Sequence, residues 1–261
     1  MQLWLIDAFT DTPFAGNPAG VCLLDEEKPD AWMQSVAREI NQAETAFLLK
    51  RDDGFGLRWF TPAVEVDLCG HATLASAHFL WSAKKLKAKE TATFHTRSGI
   101  LSARRADGWI LLDFPATPAE PCEPPPYLLS AFNALGAPVF QSRFDYMIVL
   151  DKAAAVRSPK VDFRLLREIE TRGVIITAPS DEPGVDFISR FFAPSAGVDE
   201  DPVTGSAHCA LAPYWAQRLG RNALTGFQAS ARGGVVRVEV QGDRVQLGGK
   251  AVTVVKGTLE T

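Results

Sequence analysis

The chain has 261 residues, 46% hydrophobic and 22% charged, with a formal net charge of −4. That is the make-up of a soluble globular protein large enough for one big domain or two lobes, and a weakly acidic balance gives no ground for a nucleic-acid-binding surface. No apolar run approaches the ~20 residues that span a bilayer, Met1-Gln2-Leu3-Trp4 does not open like a signal peptide, and Cys22, Cys69, Cys122 and Cys209 form no CxxC pair, which argues against a zinc site or a disulfide scaffold and for a cytoplasmic, reducing location.

A first strand is expected from Gln2 to Ala8, followed by the turn-rich Phe14-Ala15-Gly16-Asn17-Pro18-Ala19-Gly20 and a second strand from Val21 to Leu24. Asp30 is placed as a helix N-cap. Met33, Val36, Ala37 and Ile40 then fall at i, i+3, i+4 and i+7, the spacing of one apolar helical face. Strands follow at 45–49 and 57–60, the latter stopped by Pro62, and Gly70-His71 opens a second helix running to Ser82. Three antiparallel strands at 91–94, 100–104 and 109–114 close this half, with Asp107-Gly108 as a hairpin turn.

Six prolines between Pro115 and Pro126 exclude a helix or a central strand and read as a semi-rigid connector between lobes. Beyond it, a helix is expected from Tyr127 to Leu135, a strand from Phe144 to Leu150, and a helix capped by Asp162. Strands at 174–177 and 187–192 lead to a helix opened by Gly205-Ser206, which runs to Leu219 and contains a kinking Pro213. Strands at 235–240, 244–247 and 251–255 end the chain.

The two halves repeat. Arg58-Trp59-Phe60-Thr61-Pro62 matches Arg190-Phe191-Phe192-Ala193-Pro194, and Val66-Asp67 is set against Val198-Asp199. After three extra residues in the second copy, Gly70-His71-Ala72 meets Gly205-Ser206-Ala207, Gly99 meets Gly234 and Leu112 meets Leu247. An offset held across a strand, a turn, a helix start and a hairpin is the mark of a structural repeat, although strand-turn-helix units also share Gly and Pro punctuation. A two-fold pair of lobes is expected to point both Gly-led helix starts, with their free N–H groups and positive dipole ends, at one anion site.

The candidate carboxylates are Glu44, Glu65, Asp67, Asp199, Glu200 and Asp201. Glu44 lies where an amphipathic helix gives way to an apolar strand; poor solvation there favours acid/base work, and the plain alternative is a surface acid at a helix end. Asp201 either caps the second Gly-led helix or serves the site. His71 stands at the first anion site, whereas His78, His95 and His208 read as structural. Cys69 precedes Gly70-His71, a position that lowers thiol pKa values, but the repeat offers no cysteine opposite it. No dinucleotide or phosphate-loop fingerprint is present and metal-ligand spacing is lacking, which favours a site with no cofactor and no metal.

Taken together, these segments resemble the phenazine biosynthesis-like (PhzF) family, whose fold resembles diaminopimelate epimerase. The matching pieces are Asp7-Ala8-Phe9-Thr10 with Phe14 to Val21, Glu44-Thr45-Ala46-Phe47, Phe60-Thr61-Pro62 with Glu65 to Thr73, and Arg190 to Pro194 with Glu200 to Ala207. The resemblance implies an α+β chain of two pseudo-symmetric lobes, each a curled, mostly antiparallel sheet around a central helix. The lobes are expected at 1–115, joined by the last strand at about 251–261, and at 116–250. A homodimer without a cofactor is implied, acting on a small anionic metabolite, with no nucleic-acid or membrane partner.

In the family's phenazine-pathway member a glutamate moves a proton along a dihydro-hydroxyanthranilate ring, and Glu44 matches it. The expected site has Glu44, His71 and Asp201 as catalytic residues, and Asn17, Gly70, Thr204, Gly205 and Ser206 binding substrate. The expected activity is that of an isomerase. A Cys69-dependent amino-acid epimerase and a non-catalytic small-molecule-binding protein stand as alternatives.

Overall fold

A computed structural model describes residues 1–260, apart from the side chain of Ala196. The chain divides into two compact units, one of Met1–Asp113 with the C-terminal stretch from Gly248, the other of Phe114–Leu247.

The first unit contains β1 (Gln2–Ala8), β2 (Asn17–Leu24), α1 (Asp30–Ile40), β3 (Glu44–Arg51), β4 (Gly54–Phe60), β5 (Glu65–Val66), α2 (Gly70–Ser82), β6 (Ala92–Thr96), β7 (Gly99–Ala106) and β8 (Trp109–Pro115). β1 pairs antiparallel with β2, β2 parallel with β3, β3 antiparallel with β4, and β4 parallel with β6. β6, β7 and β8 continue as an antiparallel meander. Asp107 and Gly108 turn the last hairpin with φ of 50° and 79°, the doubly left-handed geometry whose twist suits two-residue hairpins.

Of the thirteen residues of α2, ten are buried. A helix apolar on nearly every side belongs inside a core rather than on a surface, and α2 packs against β1, β2 and β3. Phe79 on α2 meets Trp4 of β1 edge to face with centroids 4.8 Å apart, a geometry worth about 0.5–1.5 kcal/mol beyond its buried area. The amphipathic α1 lays Met33, Val36 and Ala37 against Cys22, Phe47 and Phe60 in a separate cluster. Its N-cap position is Pro29, not Asp30. Asp30 is the first helical residue, and its carboxylate accepts from Arg58 Nη1 at 2.8 Å.

The second unit contains β9 (Glu120–Pro121), α3 (Leu128–Ala131), β10 (Val139–Gln141), β11 (Asp145–Val149), α4 (Ala153–Arg157), α5 (Phe163–Arg167), β12 (Gly173–Pro179), β13 (Phe187–Ala193), β14 (Val198–Asp201), α6 (Gly205–Leu219), β15 (Ala223–Gln228), β16 (Gly234–Gln241) and β17 (Arg244–Gly249). β11 is parallel to β12, β12 antiparallel to β13, β13 parallel to β15, and β15 antiparallel to β16. This is the sequence of pairings from β2 to β7, repeated. α6 runs through Pro213 to Leu219. Its Trp215 stacks on Phe187 at 5.9 Å and donates Nε1–H to Thr177 Oγ1 at 3.0 Å. β18 (Ala251–Thr258) returns to the first unit and pairs antiparallel with β1.

Three further expectations change. The helix expected over 127–135 is the four-residue α3, because Tyr127 takes a left-handed φ of 70° and Phe132 ends the turn. The proline-rich stretch is not all connector: Glu120 and Pro121 pair with Gln141 and Phe140. The repeat register also shifts. Trp59 of β4 faces Val66, whereas its counterpart Phe191 of β13 faces Asp201. The three extra residues of the second copy therefore fall before Glu200. Val66 matches Asp201, and Glu65 matches Glu200.

The ion pairs agree with the corrected register. Arg58 holds Glu65 with two bonds of 2.7 and 2.6 Å, and Arg190 holds Glu200 with two of 2.6 and 2.7 Å. Each guanidinium also lies over a phenylalanine two residues on, Phe60 at 5.2 Å and Phe192 at 5.4 Å. Bidentate charge-assisted bonds fix direction as well as distance, so each short strand that leads to a Gly-led helix is braced to the strand before it.

Candidate active site

The braces sort the candidate carboxylates. Glu65 is taken by Arg58 and Arg97, Glu200 by Arg190, Asp199 by Arg167 at 2.7 Å, and Asp67 lies 3.9 Å from Arg97. Glu44 and Asp201 remain as candidates for chemistry, one in each unit.

In the first unit, Asn17, Glu44, Cys69, Gly70 and His71 come together. Glu44 is the first residue of β3, where the ladder sets it opposite Ala19 of β2. Its side chain is 19% exposed, and its Oε2 lies 3.2 Å from His71 Nε2. Gly70 and His71 begin α2, and the N-cap residue Cys69 makes no side-chain capping hydrogen bond. His71 is 5% exposed. Burial pushes its pKa down to about 3, so the imidazole is neutral at pH 7 and the Glu44 contact is not an ion pair. Nε2 is also off the line of a well-aligned hydrogen bond to that carboxylate. On the other side of the ring, Nδ1 lies 3.2 Å from Asn17 Nδ2 and 3.5 Å from Cys69 Sγ. Asn17 has no exposed surface. It was expected to bind substrate, and the structure sets it against His71.

Glu44, Cys69 and His71 each offer a ligand atom, all within 4.8 Å of one another. The thiol lies beside Nδ1 and the carboxylate beside Nε2 of one ring. A single ion would engage one of those nitrogens only, so the arrangement suits proton handling better than metal binding.

In the second unit, Asp201, Thr204, Gly205 and Ser206 come together around a residue that sequence reasoning missed. Gln228, at the end of β15, has no exposed surface. Its Oε1 accepts from the Thr204 backbone N–H at 2.8 Å, and its Nε2 donates to Asp201 O at 2.8 Å and Thr204 Oγ1 at 3.1 Å. Thr204 Oγ1 donates to Asp201 Oδ2 at 2.5 Å. The N-cap position of α6 is Thr204 and not Asp201, and the Thr204 side chain makes no capping hydrogen bond. The sequence signal for Gln228 was the alternation Leu224, Gly226, Gln228, which puts a glutamine on the buried face of an unassigned strand.

Arg172 and Asp145 were also missed. Asp145 is 2% exposed and accepts from Arg172 Nε at 2.8 Å, with a second bond from Nη2. Arg172 Nη1 in turn donates to Ser206 Oγ at 3.1 Å. Desolvation raises the Asp145 pKa and the guanidinium opposes that rise. His208, one turn into α6, has Nδ1 2.8 Å from Thr204 O. It is fully buried, and burial pushes its pKa down to about 4.

Two such units in one chain, each a mixed sheet packed on a buried helix, define the α+β epimerase-like fold. The family model described as phenazine biosynthesis-like protein matches residues 6–257, and the chain belongs to that PhzF family. An uncharacterized isomerase of Halalkalibacterium halodurans is 49% identical over 258 residues, covering 98% of this chain and 97% of that protein. A human phenazine biosynthesis-like domain-containing protein is 41% identical, with 99% of each chain covered. A crystal structure of a PhzF-family protein from Enterococcus faecalis superimposes with a TM-score of 0.95 at 39% identity, over 100% of this chain and 99% of that one. Among the described residues, no helix is long and apolar enough to cross a membrane.

Proposed function

We propose that this chain is a cofactor-independent isomerase in which Glu44 shifts a proton on a small, unsaturated metabolite that bears a carboxylate. The observation that carries this reading is a largely buried carboxylate beside a neutral imidazole in the first turn of a helix. The Glu44 carboxylate takes a proton from a carbon activated by the unsaturated system. The electron pair delocalises towards the carboxyl-bearing centre. The protonated Glu44 then returns the proton to another carbon on the same face, which restores the base and leaves an isomer.

Relatives named isomerases support the class of reaction. The Gly70–His71 helix start beside Glu44 is proposed to hold the anionic part of the substrate, and a homodimer is proposed as the assembly. The test is solvent-deuterium incorporation into a dihydro-hydroxyanthranilate and a panel of unsaturated carboxylic acids. The wild type is expected to label one of them and Glu44→Gln to leave it unlabelled. Equal labelling by both removes Glu44 from the mechanism. Binding of a panel member without label in any enzyme form favours the non-catalytic reading.

One observation favours a second reading, a thiol-dependent epimerase: Cys69 Sγ lies 3.5 Å from His71 Nδ1. Against a two-thiol mechanism, the corrected register matches Cys69 with Thr204 and not with a second cysteine. Full activity of Cys69→Ala would dispose of the thiol.

A further inference from the structure

His71 is neutral, so its ring carries one proton, on Nδ1 or on Nε2, and that choice decides whether it donates or accepts on the Glu44 side. Two groups face Nδ1. The Asn17 amide nitrogen, 3.2 Å away, can only donate, and the Cys69 sulfur at 3.5 Å is a weak partner whose S–H can also donate. Neither arrangement calls for a proton on Nδ1. The other nitrogen faces the Glu44 carboxylate at 3.2 Å, which, when ionised, can only accept.

We propose that Asn17 is a positioning residue that fixes the tautomer of His71: its amide donates to Nδ1 and commits the single ring proton to Nε2, on the side of Glu44. His71 is then a hydrogen-bond donor and not a second base. Its misalignment with Glu44 leaves Nε2–H placed to turn towards a substrate oxygen brought up beside that carboxylate. This last consequence rests on the proposed isomerase reading; the tautomer itself does not.

The molecule supplies its own control. His208, also buried, has Nδ1 2.8 Å from the Thr204 carbonyl oxygen. A carbonyl can only accept, so His208 carries its proton on Nδ1. The two buried histidines should therefore show opposite tautomers in one spectrum.

The test is two-bond 1H–15N NMR of the protein labelled at its four histidines, with no ligand added. The His71 signal is assigned by its loss in His71→Gln. The wild type is expected to show the Nε2–H pattern for His71 and the Nδ1–H pattern for His208. In Asn17→Asp the partner of Nδ1 becomes an acceptor; His71 is expected to gain a proton on Nδ1, and its titration to move up by at least one pH unit. In Asn17→Ala the Nε2–H preference should weaken into a mixture while the His208 pattern stays as it is. An Nδ1–H pattern for His71 in the wild type overturns the proposal, as does an unchanged Nε2–H pattern in Asn17→Asp. A bystander role for Asn17 would change thermal stability without moving the nitrogen pattern. Because no turnover is measured, the tautomer can fail while the isomerase reading stands, or the reverse.

Discussion

The two units share a frame and differ at the positions where chemistry sits. Thr45 pairs with Phe60 across β3 and β4, and Val174 pairs with Phe192 across β12 and β13. Glu44 is thus matched by Gly173, where a β-carbon would come within 2.2 Å of the Phe191 ring. Conversely, Arg172 and Asp145 form an ion pair where the first unit has Ala43 and Ala19. His71 is matched by Ser206, and Cys69 by Thr204. The braces from Arg58 and Arg190 are common to both. The frame tolerates a charged group at either place, but each unit fills only one of them. In the first unit the carboxylate lies beside a buried, neutral imidazole; the second pairs its buried acid with arginine.

The largest effect that tests this contrast is expected at Glu44. Glu44→Gln keeps the shape and removes the base, and solvent-deuterium exchange should fall by about 10²–10⁴-fold, with the fold unchanged by circular dichroism. In the second unit the buried acid, Asp145, has a structural task. Arg172→Met leaves Asp145 buried without its cation, which costs about 3–5 kcal/mol and is read as a lower urea midpoint. Gly173→Ala tests why no Glu44 equivalent exists there: the added methyl must displace Phe191, at roughly 1–3 kcal/mol.

The helices α2 and α6 each bury a neutral imidazole, and the sign of their effect on stability follows. Both folded pKa values, about 3 for His71 and about 4 for His208, lie below the free value of 6.5. Their contribution is fully present above pH 6.5. It is lost as pH falls from there towards 4 for His208 and towards 3 for His71, because the unfolded chain binds protons that the folded chain refuses. Each should lower stability by roughly 1 kcal/mol over the first pH unit below 6.5, and His71→Gln should flatten the slope of the urea midpoint against pH. The smallest effect is expected from Cys69→Ala, with isotope exchange within about two-fold of wild type if the thiol only packs.

Much of this frame could be read from short-range patterns. The apolar face of α1, the Asp107–Gly108 hairpin and the Asp162 cap, whose side chain accepts from the N–H groups of Arg164 and Leu165, depend on residues a few positions apart. The repeat exposed both Gly-led helix starts. Its fine register did not show, because Val66-Asp67 and Val198-Asp199 match as letters, whereas the strand pairing aligns Val66 with Asp201. The partners of the site residues were hidden by separation: Asn17 and His71 are 54 positions apart, Arg172 and Asp145 27, and Gln228 and Thr204 24. Nothing local in β15 marks its last residue as the one that ties down the Asp201–Thr204 turn.

The twin arginine–glutamate braces have a consequence for how the helix starts behave. A planar guanidinium bound at two points and laid on an aromatic ring has few rotamers left to lose. The turn behind it is held in shape before any ligand arrives. Binding at such a turn need not spend free energy on ordering the backbone, and more of each contact is left to favour the bound state. Where other enzymes assemble a site by closing a loop, each unit here carries a prebuilt corner.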